Sequence, residues 1–161
     1  MNNRLRVLVI EDDEAYVAML REFLEPSLDI RRVSTLREGL AESRTWSPAI
    51  VLLDLRLPDS SGVDTLIRFR REGPDIPVVA ISAYMDDDMV AGCLQAGAAH
   101  ALDKELLMPG SSDLLVWLLR TADLCERAKR TSTLDPVLPA HVSEIIARSA
   151  SMVMDLQRRL T

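Results

Sequence analysis

The stretch "LRVLVIEDDEAY", residues 5–16, joins a short apolar run to a cluster of acidic side chains. Residues 5–10 are almost continuously apolar, which is typical of a parallel strand that is buried on both faces. Three carboxylates, Glu11, Asp12 and Asp13, follow this run directly. Carboxylates that share a site raise one another's pKa, so a cluster of this kind usually requires a cation. The stretch therefore predicts a buried strand that ends at a metal site.

Four further runs predict strands that alternate with helices. "AIVLLDL" (49–55) and "IPVVAIS" (76–82) resemble the first run, whereas "DIRRVST" (29–35) and "AHALDK" (99–104) are weaker. The segments between them have apolar residues at helical spacing: Tyr16, Met19, Leu20, Phe23 and Leu24; Leu36 and Leu40; Val63, Leu66 and Ile67; and Met89, Val90, Cys93 and Leu94. Short connections between such elements favour a doubly wound α/β sheet, in which ligands bind at the carboxyl ends of the strands.

The remainder of the chain predicts helices outside the five strands. A helical pattern begins at Ser111 and ends near Thr131, after which Pro136 and Pro139 interrupt it. We therefore expect one domain over residues 1–130, a proline-containing break over 131–139 and an amphipathic helix over 140–161. The sequence leaves open whether this C-terminal helical extension dimerises, docks a partner, connects to a further domain or packs on its own domain.

Composition and charge exclude several classes of protein. The chain of 161 residues is 48% hydrophobic and carries a net charge of −6, and no apolar stretch is long enough to span a bilayer. The N-terminus has no signal-peptide pattern, and Cys93 and Cys125 lack paired spacing. Neither a basic surplus nor an aromatic stacking surface is present. We expect a cytoplasmic protein that binds neither a membrane nor nucleic acid.

The predicted sheet gathers one set of polar side chains at its carboxyl edge: Glu11, Asp12, Asp54, Ser82 and Lys104. Oxygen ligands that are mostly carboxylates suit Mg2+. Lysine supplies a point charge for a phosphoryl group, and serine supplies a hydroxyl donor. An aspartate-nucleophile phosphatase would need a second acid two positions after its nucleophile, where this chain has an arginine. The set therefore favours phosphoryl chemistry that depends on Mg2+.

Four segments carry a resemblance to a known family. "VIEDD" (9–13), "LLDLRLPDSSG" (52–62), "AIS" (80–82) and "ALDK" (101–104) resemble the signature segments of the response-regulator receiver domain of bacterial two-component signalling. The resemblance covers residues 4 to about 130. It implies a flavodoxin-like, doubly wound, five-stranded parallel sheet in the strand order 2-1-3-4-5, as in chemotaxis-regulator-like receivers.

The resemblance also implies roles for the acidic residues. Asp54 matches the phospho-acceptor, Asp12 the direct metal ligand and Glu11 the acid that acts through bound water. The carboxylate of Asp54 and the backbone carbonyl of Arg56 would be further ligands of Mg2+. Asp13 matches no ligand of the family, and we expect it to cap the first helix.

Two other site residues match the family, whereas two positions depart from it. Ser82 matches the hydroxyl residue that moves onto the phosphoryl group, and Lys104 matches the lysine that pairs with that group. Glu105 stands where many members have a proline, and Ala101 stands where many have an aromatic residue that swings inward on activation. The common aromatic switch is therefore not implied for this chain.

The function that the resemblance implies is transfer of a phosphoryl group onto Asp54 from the phosphohistidine of a histidine kinase or a histidine phosphotransfer protein. This transfer would switch contacts with a downstream protein or with a second copy through residues 140–161. The chain would catalyse only its own phosphotransfer and autodephosphorylation, so it would not be an enzyme with an external substrate. We expect Arg56 and Tyr84 to set the lifetime of the phosphorylated state.

Two alternatives remain for the function of the chain. It is the receiver end of a longer signalling protein with a kinase-type or cyclase-type output, or it is a pseudo-receiver that docks constitutively.

Overall fold

A computed structural model of the protein describes residues 4–24 and 28–107, and beyond them residues 116, 119, 120, 122–124 and 127. Apart from two short strands after the third strand, which the sequence did not predict, strands and helices alternate as expected. Their bounds are β1 (Leu5–Ile10), α1 (Glu14–Leu24), β2 (Leu28–Val33), α2 (Leu36–Thr45), β3 (Ile50–Asp54), β4 (Arg56–Leu57), β5 (Ser60–Ser61), α3 (Val63–Glu72), β6 (Val78–Ser82), α4 (Asp87–Gln95) and β7 (His100–Asp103), followed by a 3-10 turn (Lys104–Leu107).

Five of the strands form one parallel sheet in the order β2-β1-β3-β6-β7. The two-residue strands β4 and β5 pair with each other in a separate antiparallel hairpin. The five sheet strands therefore have the predicted flavodoxin-like order 2-1-3-4-5. In register, Ile10 lies opposite both Val33 and Leu53, and Ser82 lies opposite Asp103. The carboxyl ends of the strands thus meet at one edge of the sheet.

The sheet separates two apolar cores because successive side chains of a strand point to opposite faces. Leu8 and Ile10 of β1 pack in the core on the face that α2, α3 and α4 cover. Val7 and Val9 pack in the opposite core with residues of α1. Leu119 also joins this second core, and it is one of the helical residues within the segment that the sequence predicts as a helix from Ser111. Burial on both faces explains why the central strands are nearly continuous apolar runs.

Three apolar residues that the helical spacing assigned to buried faces are exposed instead. The exposed fractions are 37% for Phe23, 45% for Ile67 and 44% for Leu94. Each adjoins a buried residue, namely Leu24, Leu66 and Cys93 respectively. One step along a helix rotates the side chain by about 100°, so the neighbour of a central buried residue points away from the sheet. The buried faces of α1, α3 and α4 are therefore narrower than the sequence pattern indicates.

The predicted break over residues 131–139 and the predicted helix over residues 140–161 lie outside the described residues. Cys125 lies outside them as well. In the part of the chain that the structure describes, no helix has both the length and the apolar character needed to cross a membrane.

Candidate functional site

Three carboxylates from two neighbouring strands meet at the carboxyl edge of the sheet. Glu11 follows β1 and is fully buried, and Asp54 ends β3 with an exposed fraction of 2%. Asp12 is exposed to solvent. The register of β1 with β3 brings these residues together, and one carboxylate oxygen of each lies within 4.8 Å of the others. The fold therefore brings Glu11, Asp12 and Asp54 together at one point of the sheet edge.

Lys104 forms ion pairs with both buried carboxylates. Its Nζ lies 2.5 Å from Oε2 of Glu11 and donates a hydrogen bond to Oδ2 of Asp54 at 3.0 Å. Burial disfavours the charged lysine, but the two carboxylates overcome this effect and raise the pKa of Lys104. A buried ion group of this kind is stable only while all its partners are present, because each partner balances the desolvation of the others.

Glu11 has a pKa close to neutrality. Burial raises this pKa from 4.5 to about 7, and the nearby charge of Asp54 adds to the increase. Hydrogen bonds from Lys104 and from the backbone amide of Asp13 act in the opposite direction without cancelling it. A divalent cation at this position would favour the ionised form, so binding of the cation and loss of the proton are coupled.

The loop after β3 holds Asp54 in place. The backbone amide of Arg56 donates to Oδ1 of Asp54 at 3.0 Å, and the side chain of Arg56 is exposed. The amide of Gly62 donates to the carbonyl of Leu55 at 2.7 Å, which closes the loop. Gly62 has φ 67°, a conformation that side chains disfavour, so glycine suits this position.

Ser82 and Tyr84 lie on the other side of the same site. Ser82 ends β6, and its Oγ accepts a hydrogen bond from the backbone amide of Tyr84 at 3.3 Å. Both residues line an open cleft of about 530 Å³ together with Asp54, Lys104 and the acidic cluster. The structure thus brings every predicted site residue to one cleft.

Two residues near the site were not recognised as functional from the sequence. The first is Tyr16 of α1, whose ring lies 4.9 Å from Nζ of Lys104 in a cation–π arrangement. Its hydroxyl is buried and has no hydrogen-bond partner among the described residues. Burial raises the pKa of Tyr16, and the charges of Glu11 and Asp54 raise it further. The sequence assigned Tyr16 only to a helix face, because one aromatic residue gives no signal for a cation partner.

The second such residue is Arg32 of β2, which contacts the acidic loop. Its Nε donates to the carbonyl of Glu11 at 3.0 Å, and its Nη2 donates to the carbonyl of Asp12 at 2.8 Å. No motif in the sequence marks this arginine. Asp13 behaves as predicted, since its Oδ1 accepts a hydrogen bond from the amide of Tyr16 at 3.0 Å and so caps α1.

The oxygen donors at the site fit Mg2+. This ion prefers hard oxygen ligands and usually binds through one or two carboxylates together with water and phosphate oxygens. Glu11, Asp12 and Asp54 supply three such carboxylates against the single positive charge of Lys104. A divalent cation would remove this excess of negative charge, so the donor set is suited to a magnesium ion.

The fold and the acidic cleft define the class of the protein. The family profile described as "Response regulator receiver domain" matches residues 7–110. The chain therefore belongs to the response regulator receiver domain family of two-component signalling. Domains of this family bind Mg2+ in an acidic pocket and interact with histidine kinases or phosphotransfer proteins and with output domains.

Individual relatives support the same class. The chain is 34% identical over 97 residues to the regulatory protein LuxO of Vibrio cholerae, which covers 60% of this chain and 21% of LuxO. It is 36% identical over 99 residues to the KDP operon transcriptional regulatory protein KdpE of Escherichia coli, which covers 61% of this chain and 44% of KdpE. The chain thus spans less than half the length of these relatives.

A solved structure gives an independent comparison of the fold. The CheY-like response regulator receiver domain protein from Methanospirillum hungatei superposes with a TM-score of 0.64 and 25% sequence identity. The superposition covers 78% of this chain and 98% of that chain. The receiver fold therefore accounts for the main body of the protein.

Proposed function

We propose that the protein accepts a phosphoryl group from a phosphohistidine onto Asp54, with Mg2+ bound beside it. The observation that carries this proposal is the placement of Asp54. Its carboxylate is almost completely buried, yet it lines an open cleft and contacts Lys104 at 3.0 Å. An isolated buried carboxylate is costly, so a position between a lysine and two further acids favours a chemical role for it.

The transfer requires little covalent chemistry from the protein. One oxygen of the Asp54 carboxylate attacks phosphorus, the new P–O bond forms, and the P–N bond of the phosphohistidine breaks with its electron pair remaining on the imidazole. The acidic cluster of Glu11, Asp12 and Asp54, with the backbone carbonyl of Arg56, would hold Mg2+. When bound, the ion supplies positive charge that neutralises the phosphoryl oxygens.

Lys104 and Ser82 are proposed to recognise the transferred group. Lys104 already contacts Oδ2 of Asp54, so it can follow the negative charge from the carboxylate to the phosphoryl oxygens with a small movement. The hydroxyl of Ser82 accepts a long, weak hydrogen bond of 3.3 Å from the amide of Tyr84, and its own O–H can donate to a phosphoryl oxygen.

Arg56 and Tyr84 are proposed to set the lifetime of the phosphorylated state. Both side chains are exposed and line the cleft, where they can control the approach of water to the acyl phosphate. Exchange of either side chain, by Arg56→Ala or Tyr84→Ala, should change the dephosphorylation rate. Unchanged rates in both variants would remove this part of the proposal.

The output is proposed to be a switched protein–protein contact, with residues 1–130 as the receiver, residues 131–139 as a break and residues 140–161 as the contacting helix. The apolar spacing of that helix supports either a homodimer or a docked partner. Sedimentation velocity of the full chain, before and after phosphorylation, separates a change in self-association from a constant monomer that requires another partner.

A second candidate is that this receiver works as part of a longer signalling protein. The observation in its favour is that the chain spans only 21% of LuxO and 44% of KdpE. The complete genomic reading frame decides this point directly.

The proposed chemistry is tested by intact-mass spectrometry after incubation with a small acyl phosphate. The native chain should gain one phosphoryl group with Mg2+ and none with a chelator, and Asp54→Asn should gain none. Asp64→Asn removes an exposed carboxylate of α3 and is the matched control, which should label like the native chain. A native chain that binds Mg2+ but never labels would instead indicate a pseudo-receiver that docks constitutively.

A further inference from the structure

We propose that Arg32 is a positioning residue of the metal site, because its guanidinium fixes the backbone that carries Glu11 and Asp12. Arg32 lies on the edge strand β2 and is not part of the acidic cluster itself. The inference rests on the proposed function, since it requires that the cluster bind Mg2+.

The contacts of Arg32 form a two-pronged clamp on consecutive peptide groups. Nε donates to the carbonyl of Glu11 at 3.0 Å, and Nη2 donates to the carbonyl of Asp12 at 2.8 Å. These two nitrogens lie on the same edge of the planar guanidinium, so the pair of bonds fixes orientation as well as distance. A lysine at this position would keep the charge but could not reproduce this geometry.

The clamped segment has no regular secondary structure of its own. Residues 11–13 lie between β1 and α1, so their backbone groups depend on other partners. The amide of Glu11 donates to the carbonyl of Val33 at 2.9 Å, and the carbonyl of Glu11 accepts from Arg32. Both ends of this residue are therefore anchored to β2. The edge strand thereby fixes the backbone from which two of the three acidic side chains project.

The charge of Arg32 and its hydrogen bonds should affect metal binding in opposite directions. A positive charge close to the acidic cluster repels Mg2+, whereas a fixed loop reduces the cost of arranging the ligands. Within the described part of the chain, Arg32 also lies 3.4 Å from Oε1 of the exposed Glu14, and this contact is too weak to change the balance. Substitution therefore distinguishes the two effects by the sign of the change in affinity.

The neighbouring Arg31 provides a matched control. It lies on the same strand with its side chain on the opposite face, where it stacks 4.5 Å from the centroid of the Trp46 ring and pairs with Glu42. Substitution of Arg31 removes an arginine of β2 and its packing against Trp46, but should leave the contacts of Arg32 intact.

The test measures the Mg2+ dissociation constant of the full chain and of Arg32→Gln, Arg32→Lys and Arg31→Gln by isothermal titration calorimetry at constant ionic strength. Both Arg32 variants should bind Mg2+ about tenfold more weakly, the usual effect of losing a partner that orients metal ligands. Arg31→Gln should bind like the native chain. At saturating Mg2+, both Arg32 variants should recover the native labelling rate with a small acyl phosphate, because a positioning defect is overcome by excess ion.

Three results would overturn the inference. Equal or tighter binding by Arg32→Gln would mean that charge repulsion outweighs positioning, and native affinity in Arg32→Lys would mean that the clamp geometry is unimportant. If the native chain itself binds no Mg2+, the proposed function fails together with this inference. Circular dichroism in the presence of chelator shows whether each variant is folded. If Arg32→Gln is unfolded, the Mg2+ affinity of Arg32→Lys decides whether the inference holds.

Discussion

At the scale of single residues, the site is a group of charges whose balance depends on Lys104. The lysine contacts two buried carboxylates at once, and its Nζ lies 4.9 Å from the centroid of the Tyr16 ring. The sequence predicted Lys104, Glu11 and Asp54 because strand ends in a parallel sheet meet at one edge. It did not predict Tyr16 or Arg32, because their roles depend on side-chain directions that no spacing rule encodes.

The apo protein should become less stable as the pH rises from about 4.5 to above 7, and Glu11→Gln should make this decrease smaller. The pKa of Glu11 is raised from 4.5 to about 7 in the folded state. The folded state therefore binds more protons than the unfolded state in this interval, and the stabilising contribution that is present below pH 4.5 is lost as pH rises through about 7. The variant should reduce the decrease in the free energy of unfolding by at most roughly 3 kcal/mol.

The measurement is urea unfolding with chelator at several pH values for the native chain and the variant. Glu22→Gln, which changes an exposed glutamate of α1, is the control and should follow the native curve. Parallel curves for the native chain and Glu11→Gln would contradict the raised pKa.

Tyr16→Phe should stabilise the protein by about 1 kcal/mol, because a buried hydroxyl without a hydrogen-bond partner costs free energy. The variant keeps the ring beside Lys104 and removes only the unpaired Oη. Thermal or urea unfolding measures the change, and Tyr84→Phe, at an exposed position, should have no effect. Clear destabilisation by Tyr16→Phe would mean that the hydroxyl has a partner, such as an ordered water molecule.

At the scale of elements, the close approach of α2 to the sheet depends on one glycine. A Cβ at Gly39 would overlap with the buried side chain of Ile10, so that side chain or the helix would have to shift. Ile10 immediately precedes Glu11, and displacement of α2 would therefore disturb the strand that carries the acidic cluster. The sequence predicted α2 but gave no indication of this close approach. The spacing of Leu36 and Leu40 indicates which face of the helix is buried, but not how close the helix lies to the sheet.

Gly39→Ala should destabilise the protein by about 2 kcal/mol, the usual cost of overpacking a core. Gly92→Ala is the matched control, because it also adds a Cβ to a helical glycine but meets its nearest neighbouring atom at 3.4 Å. This control should be neutral or slightly stabilising, since alanine favours helix over glycine. Urea unfolding tests both variants, and equal effects would show that steric contact with Ile10 is not the cause.

At the scale of the whole molecule, metal binding should be linked to folding. Mg2+ that binds only the folded state should stabilise it by about 1.4 kcal/mol at ten times the dissociation constant, and this raises Tm by roughly 5 °C for a domain of this size. Differential scanning calorimetry with ionic strength matched by NaCl measures the shift. Asp12→Asn, which removes an exposed acid of the cluster, should show a much smaller shift. Equal shifts would indicate a general salt effect.

The sequence determined the overall architecture more completely than the details of helix packing. Nearly continuous apolar runs predicted β1, β3 and β6, because strands buried on both faces can contain few polar residues. Weaker patterns predicted the two edge strands, β2 and β7. The strand order came from the resemblance of the signature segments, and the sheet confirms it. The exposure of Phe23, Ile67 and Leu94 could not be predicted, because the width of a buried helix face depends on the neighbouring helices.

Mapping the residue that accepts the phosphoryl group shows directly whether that residue is Asp54. The full chain is labelled with a small acyl phosphate in Mg2+ and reduced with borohydride, which converts an aspartyl phosphate to homoserine, and its peptides are sequenced by mass spectrometry. We expect homoserine at position 54 and at no other acidic residue of the cleft. Homoserine at Asp12 or Asp13, or unmodified Asp54 in protein that carries a phosphoryl group, would contradict this expectation.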